Sequence, residues 1–350
     1  MSDNQVSVPA SELMKTVEQI FVANGAAQSV AAGIADSLVS ADLEGVSSHG
    51  VMLVPMYVER VRAGSVSLSA EPIVVEDYGG LVVMSAEHTL GQVSARVAVE
   101  LASTRAREHG VAVVAVRHAF HFGAAAYWVR KFAEAGMVGF ALSNTRPLMP
   151  APGGAERVVG NNPMAIGFPS RVGEPLVVDM AMSATAMGKI RLAEAKGDSI
   201  PTGWATNAEG APTTSATDAI AGMLLPAAGP KGFGLAVAVD LLCGALSGGS
   251  VGAEVQPLYG RPEVPYDCAH AFIAIDACRV GAGTGIATTV SAFADAIRDS
   301  RKAPGINVIY APGDLERARR TQGQAHCSLP TSLADELQAL ARHAALPSDL

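Results

Sequence analysis

VAVVAVRHAFHFG, residues 111–123, is the stretch that decides the fold class. Its first six residues are small or β-branched and apolar without polar alternation, which is typical of a strand buried on both faces of a sheet. The strand ends near His118 and His121, and α/β enzymes usually place their chemistry at strand ends. From this stretch alone, a functional role for either histidine is about as well supported as a structural one, with one imidazole bonded to a carbonyl and the other in water.

Length and composition indicate a compact α/β protein with one large or two ordinary domains. The chain has 350 residues, of which 49% are hydrophobic and 17% charged. The net charge is −8, and no long Lys/Arg run is present. This disfavours nucleic acid and anionic membranes as partners, because both require a concentrated basic surface. All apolar runs are interrupted before they reach membrane-spanning length.

The cysteines and the N-terminus predict a cytoplasmic location. Cys243, Cys268, Cys278 and Cys327 show no C-x-x-C spacing, so they predict ordinary thiols of a reducing compartment. The first residues, MSDNQVSVPASEL, lack the basic and apolar regions of a signal peptide.

Helices are predicted to dominate both ends of the chain and strands its middle, so the two termini are expected to pack together beside a central sheet. The third helix should become regular near Val54, because Pro55 is tolerated only in a first turn. Helical periodicity and capping residues predict helices over 9–24, 28–43, 50–63, 89–108, 124–135, 187–196, 230–246, 284–301, 313–320 and 332–344. The predicted strands are 73–76, 80–85, 111–116, 137–143, 176–182 and 270–276.

Two helix starts have residues that suit ligand binding. Pro230-Lys231-Gly232 presents free backbone N–H groups and a lysine, as a phosphate site requires, although a glycine-rich helix entry with a solvated lysine is the alternative. The serines of Ser47-Ser48-His49 can cap the following helix and leave His49 near its positive end. The alternative there is a capping turn whose histidine faces water.

Common catalytic motifs are missing from the sequence. No G-x-G-x-x-G follows a first strand, and the similar segment 281–285 is interpreted as a turn and helix start. G-x-S-x-G, H-E-x-x-H and P-loop motifs do not occur. His118 and His121 could share a metal only with further ligands, and no carboxylate is near them in sequence, so no metal site is predicted.

A set of motifs covering nearly the whole chain resembles the malate/L-lactate dehydrogenases of the non-Rossmann type, also called the sulfolactate dehydrogenase-like family. The motifs are Ser48-His49-Gly50 with Tyr57, His121, Asn162-Pro163-Met164-Ala165-Ile166, Asp179-Met180-Ala181, Gly188-Lys189 and Pro230-Lys231-Gly232-Phe233-Gly234. The stretches SIPTGW, GAPTT and LLPAAGPKGFG are most similar to the ureidoglycolate dehydrogenases of this family.

The resemblance implies an α/β fold in which a mixed central sheet, rather than a Rossmann domain, binds NAD(P), flanked by a helical domain from both termini. It divides the chain into a substrate and dimerisation region (1–75), a nucleotide-binding domain (76–290) and a C-terminal helical region (291–350). It also implies a homodimer with the active site near the interface.

The implied activity is hydride transfer between NAD(P) and a small 2-hydroxy or 2-oxo acid such as malate, lactate, ureidoglycolate or sulfolactate. An NADPH-dependent reductase of cyclic imino acids and a non-catalytic nucleotide-binding relative are the alternatives. His121 would exchange the proton, while His49, oriented by Ser48 and helped by Asp179, would hold substrate or share that proton. Substrate binding is assigned to Ser48, Tyr57 and Arg117. Cofactor binding is assigned to Thr145, Arg146, Asn162, Asp179, Met180, Ala181, Lys189, Lys231 and Gly232.

Three positions depart from the family pattern. Leu53 stands where family members commonly carry an arginine suited to a substrate carboxylate, so Arg117 or Arg146 would supply that grip, or the substrate is not an ordinary 2-hydroxy acid. Asn161 replaces the threonine of the frequent G-T-N-P motif. Arg146 stands where ureidoglycolate dehydrogenases have an acidic residue, which favours NADP over NAD, although a solvated loop arginine is the alternative.

Overall fold

The structure is a computed structural model that describes residues 4–171, 175–279, 285–323 and 325–345. Its strands are β1 (Gln5–Pro9), β2 (Ile73–Asp77), β3 (Leu81–Ser85), β4 (Val111–Ala119), β5 (Met137–Ser143), β6 (Met149–Pro150), β7 (Arg157–Val159), β8 (Met164–Phe168), β9 (Leu176–Met180), β10 (Ala205–Thr206), β11 (Pro212–Thr213), β12 (Met223–Leu224), β13 (Cys268–Asp276) and β14 (His326–Pro330). Its helices are α1 (Ala10–Ala23), α2 (Gln28–Leu43), α3 (Val54–Arg62), α4 (Gly91–His109), α5 (Ala125–Glu134), α6 (Met187–Lys196), α7 (Ala216–Ala221), α8 (Pro230–Asp240), α9 (Ile286–Arg298), α10 (Asp314–Gln322) and α11 (Thr331–Ala345).

A mixed seven-stranded sheet organises the described chain, with the strand order β2-β3-β4-β13-β5-β8-β9. Helix α4 crosses over between β3 and β4, so these strands pair in parallel, whereas β4 pairs antiparallel with β13. Ala112, Val114 and Val116 of β4 are completely buried. The predicted interior strand is therefore confirmed, and it delivers His118 and His121 to one end of the sheet.

The two chain ends pack together, as predicted from their helical character. Strand β1 pairs antiparallel with β14, so that Gln5 lies opposite Pro330, and α1 packs against α11. This small sheet was not predicted, and it changes one helix start. Pro9 ends β1, so the helix predicted from residue 9 begins at Ala10.

A smaller hydrophobic core lies beside the main one. It contains Met149, Ile190, Ile200 and Leu224, and it is surrounded by the short strands β11-β10-β12 and by α6 and α7. The three-region division of the chain stays a prediction, although its boundary at residue 75 falls inside β2, a strand of the central sheet. Among the helices of the described residues, none has the length and hydropathy required to cross a bilayer.

The helix predicted over 230–246 is interrupted. Regular α8 ends at Asp240 and continues as one π-helical turn, Leu241–Ala245. Val239 of the predicted apolar stripe is buried, but Leu235, Leu242 and Leu246 are exposed. Farther along, residues 281–284 of the glycine-rich segment lie outside the described residues, and α9 is shorter than the predicted 284–301.

Candidate active site

Two histidines from distant parts of the chain meet beside the end of β4. His121 follows β4 directly, and His49 ends the short 3₁₀ turn Ser47–His49 that leads towards α3. Their rings are stacked with centroids 5.5 Å apart and planes inclined by 27°. The Ser48 hydroxyl lies 3.0 Å from His49 Nδ1, so it can orient that ring as the sequence predicted.

Tyr57 fixes the ring of His121. Its hydroxyl lies 2.7 Å from His121 Nδ1 and 3.4 Å from the carbonyl of His121, and the Gln92 amide donates to it at 3.5 Å. The Gly123 N–H also approaches Nδ1, at 3.4 Å. In the tautomer whose Nδ1–H donates to the tyrosine oxygen, the tyrosine O–H can donate to the carbonyl, and Nε2 is left as a proton acceptor. Tyr57 is 0% exposed. It therefore positions His121 in this structure, and the substrate contact predicted for it stays a prediction.

The backbone around His121 is held by groups that the sequence analysis missed. His270 is completely buried and lies 3.0 Å from both the Phe120 carbonyl and the Ser143 hydroxyl. Gly91, at the start of α4, contacts the carbonyls of Phe120 and His121 so closely that a Cβ there would overlap them. The close packing fixes the turn that presents His121.

Burial keeps both active-site imidazoles neutral. Loss of solvent, followed by the neighbouring His49 and His270, lowers the pKa of His121 to about 3. Burial also lowers the pKa of His49. A neutral His121 can accept a proton at neutral pH, which is the state that a general base requires.

A cleft of about 780 Å³ begins at His49 and is walled by the end of β9. Asp179, Met180 and Ala181 line it, as predicted. The opposite side includes segment 310–313 and arginines from α5 and α10, none of which the sequence analysis singled out. The lining arginines are Arg130, Arg317 and Arg320.

Asp179 connects this cleft to helix α5. Its carboxylate accepts the Ala126 N–H at 3.0 Å, close to the positive end of that helix. The carboxylate is open to the cleft but enclosed by protein elsewhere, and this desolvation raises its pKa to about 6 against the opposing effects of Ala126 and Arg130. Asp179 and His49 share the cleft, but no hydrogen bond joins them in this structure.

Thr145 and Asn162 are part of a hydrogen-bonded path next to the cleft. Asn162 is completely buried, accepts the Thr145 N–H at 2.9 Å and donates to the Ala236 carbonyl in α8 at 2.8 Å. The neighbouring Asn161 accepts from the Thr145 hydroxyl, and its carbonyl accepts the Met182 N–H at 2.7 Å. Asn161 thus orients the threonine hydroxyl, and the path connects Asp179–Ala181 to α8.

The remaining predicted cofactor residues lie outside the lining of this cleft. Lys189 is exposed on α6 and Lys231 is exposed in the first turn of α8. Gly232 packs against the Ala227 carbonyl, where a Cβ would overlap it. Arg146 is half-buried, and burial followed by the charges of Arg157 and Arg191 lowers its pKa.

The structure also places the three residues discussed for binding of a substrate carboxylate. Leu53 is 2% exposed and belongs to the main hydrophobic core. Arg117 packs against Gly248 and Gly249, and it does not line the cleft described above. The other candidate cation, Arg146, lies near Tyr266. The ring of Tyr266 is 5.9 Å from the ring of Phe120, the residue before His121.

Comparisons with known proteins agree with this fold. Residues 8–338 match the family model for malate/L-lactate dehydrogenase. The malate dehydrogenase of Pyrococcus abyssi is 34% identical over 322 residues, covering 90% of this chain and 88% of that protein. The ureidoglycolate dehydrogenase (NAD(+)) of Escherichia coli O157:H7 is 32% identical over 317 residues, covering 91% and 90%. The structure of sulfolactate dehydrogenase from Methanocaldococcus jannaschii superposes with a TM-score of 0.91 at 32% identity, covering 97% of this chain and 98% of that one.

The fold and the matched family define an oxidoreductase of the dehydrogenase class. More particularly, the chain belongs to the malate/L-lactate dehydrogenase family, with the sulfolactate dehydrogenase-like fold. The family and the fold predicted from the sequence are thereby confirmed. The malate and ureidoglycolate dehydrogenases are similar to the chain to nearly the same degree, so identity does not single out one subgroup.

Proposed function

We propose that this protein transfers a hydride reversibly between a nicotinamide cofactor and a small 2-hydroxy or 2-oxo acid. The observation that carries the proposal is the stacked pair of His49 and His121, of which His49 lines a cleft walled by Asp179–Ala181. A neutral imidazole at this point suits proton exchange with the substrate oxygen.

The cleft fits a dinucleotide in size and in chemistry. Its volume of about 780 Å³ lies in the range of cofactor sites. Val177, Met180 and Leu315 give it apolar surface. Arg130 and Arg317 also line it; their guanidinium groups suit phosphate oxygens and are paired with Glu44 and Asp314 in this structure. When bound, the nicotinamide supplies or accepts the hydride. The assignment of Thr145, Asn162, Lys189, Lys231 and Gly232 to cofactor binding stays a prediction, because these residues lie outside the lining of the cleft.

His121 does the proton work in this scheme. In the oxidation direction, its Nε2 takes the proton of the substrate hydroxyl while Tyr57 and Gln92 hold the ring. In the reduction direction the step runs in reverse: the ring, which is neutral in the free protein, first takes up a proton from solvent and then donates it to the substrate oxygen. His49, held by Ser48, supports the substrate from the stacked position.

The Asp179 carboxylate is expected to set the acid limb of activity. Because its pKa is raised to about 6, it is ionised above that pH and protonated below it. We expect kcat/KM for oxidation to fall as the pH drops through about 6. Asp179→Asn should lower kcat/KM above pH 6 and should make it less dependent on pH below that value. Steady-state rates from pH 5 to 9 measure both effects, with the exposed Asp198→Asn as the control.

The same raised pKa has a consequence for stability. The folded chain binds the Asp179 proton more tightly than the unfolded chain, so this carboxyl's stabilising contribution is lost as the pH rises through about 6. Asp179→Asn should therefore unfold at a higher denaturant concentration than wild type at pH 8. An unchanged pH profile together with unchanged stability would contradict the role given to this carboxylate.

We propose NADP as the preferred cofactor, with Arg146 as the group that receives the 2′-phosphate. The charges of Arg157 and Arg191 add positive potential at this residue. Arg146→Glu should raise KM for NADPH roughly 10- to 100-fold, the cost of a lost charge-assisted hydrogen bond, and change KM for NADH much less. A rise in KM for the oxo acid alone would instead make Arg146 the carboxylate grip.

A screen of candidate substrates for turnover tests the substrate class. The chain has the buried Leu53 where members of the family commonly carry an arginine suited to a substrate carboxylate. A cyclic imino acid is therefore the second candidate substrate. Loss of NADPH and NADH absorbance should be followed with 2-oxo acids and with cyclic imines. Turnover of a 2-oxo acid supports the proposal, turnover of imines alone favours the second candidate, and cofactor binding without turnover identifies a non-catalytic relative.

We also propose a homodimer in the cytoplasm. The exposed leucines of α8 and the following turn offer an apolar face for a second copy: Leu235, Leu241, Leu242 and Leu246. The four cysteines are free thiols, which suits a reducing compartment.

A further inference from the structure

A second cluster of ionisable side chains lies beside the end of β4, outside the cleft. His118 Nδ1 is 2.9 Å from Asp267 Oδ1, and the rings of His88 and His118 have centroids 5.4 Å apart. One donor atom from each of the three residues lies within 4.8 Å of the others. We propose that His88, His118 and Asp267 bind a divalent transition-metal ion of the zinc type.

The donor set is the one that such ions prefer. Two imidazoles and one carboxylate bind zinc or a similar first-row metal, and three protein ligands leave a position open for water. Donors at about 2.1 Å from one ion lie roughly 3.5 Å apart, so an ion requires small side-chain rotations that widen the His118–Asp267 pair and bring His88 closer to it. All three residues are partly exposed, which gives the ion a path from solvent.

The backbone holds the three ligands in an uncommon conformation. His88, His118 and Asp267 have φ values of +55°, +51° and +53°, in the left-handed region that costs energy for residues other than glycine. The His88 N–H donates to the His118 carbonyl at 3.0 Å, which ties two of these segments together. Strain at three residues that converge on one point indicates a geometry maintained for a ligand.

A neighbouring serine orients the carboxylate. The Ser250 hydroxyl donates to Asp267 Oδ2 at 2.8 Å and leaves Oδ1 directed at His118. Outer hydrogen bonds of this kind usually fix metal-ligating carboxylates. An ion here would connect the segment before α4, the end of β4 and the start of β13, three segments that pack around the turn carrying His121.

The direct test is a metal titration of the full chain, free of any histidine tag and stripped with chelator. Calorimetry with Zn²⁺ should show one ion per chain, and Co²⁺ should give the visible absorption of a bound ion. His88→Asn and Asp267→Asn should each weaken Zn²⁺ binding by at least about tenfold. The control variants His109→Asn and Cys278→Ser, which alter an exposed histidine and an exposed thiol, should bind as wild type does.

The proposal fails if the wild-type chain binds neither Zn²⁺ nor Co²⁺ with one-to-one saturation. It also fails if His88→Asn and Asp267→Asn bind like wild type, or if Cys278→Ser abolishes binding. Circular dichroism checks that each variant is folded. Should a ligand variant not fold, the wild-type titration decides the question alone, supported by the rise in Tm that Zn²⁺ should cause.

Discussion

Replacing His121 with asparagine is expected to lower kcat by about three orders of magnitude, within the usual range for loss of a general acid or base. The neutral imidazole that takes the substrate proton disappears, while the volume and packing of the turn change little. Since the cleft residues that face the cofactor are untouched, NADPH affinity should stay within about twofold. Stopped-flow rates and fluorescence titration measure the two quantities separately.

The matched control is His109→Asn, which changes an exposed histidine at the end of α4. It should turn over as wild type does. If His121→Asn kept wild-type kcat, the proton-transfer role would be lost. If both kcat and cofactor affinity collapsed, the residue would be needed for the fold of the cleft instead.

Replacing Arg60 with methionine should lower the free energy of unfolding by about 3 to 5 kcal/mol. Arg60 is only 1% exposed, and its guanidinium donates to the carbonyls of Pro257, Leu258 and Val264 at 2.7–3.0 Å. The methionine fills similar space but leaves these carbonyls without their donors. Each unpaired carbonyl costs about 1 to 3 kcal/mol, and relaxation of the structure and entry of water reduce the total. Denaturant unfolding followed by circular dichroism gives the difference.

Arg62, two residues along the same helix, provides the control. It is exposed and donates to Asn24 at 3.0 Å, so Arg62→Met should change the free energy of unfolding by less than about 0.5 kcal/mol. The guanidinium of Arg60 also lies 5.7 Å from the centre of the Phe120 ring. Arg60→Met is therefore expected to weaken the turn that carries His121. Equal stability of the two variants would contradict this account.

Local patterns predicted most of the regular structure. The Val111–Val116 run identified the interior strand β4, and residues 187–196 formed the helix as predicted, because both depend on neighbouring side chains. The pairing of β1 with β14 joins residues more than 300 positions apart, so no local signal announces it. The π-helical turn after Asp240 escaped prediction for another reason: five residues are too few for a sequence pattern to distinguish an i→i+5 turn from regular helix.

The candidate active site likewise contains residues that the sequence indicated and residues that it did not. Resemblance to a family singled out His49, His121 and Asp179, which the structure places at or beside one cleft. It also assigned Tyr57 to the substrate; Tyr57 is buried against His121, and that assignment stays a prediction. His270 went unnoticed because its role comes from bonds to residues 127 and 150 positions away. The carboxylate of Asp267 was missed for the same reason, as it lies 149 residues from His118.

The central claim is that a hydride passes between the cofactor and a substrate carbon held beside His121. Mass spectrometry of the product formed with NADPH or NADH that carries deuterium at both C4 positions tests it most directly. The account predicts a 2-hydroxy acid carrying one cofactor-derived deuterium, formed at least about 100-fold more slowly by His121→Asn. Product that forms without deuterium, or cofactor that binds while no 2-oxo acid or cyclic imine is reduced, would contradict it.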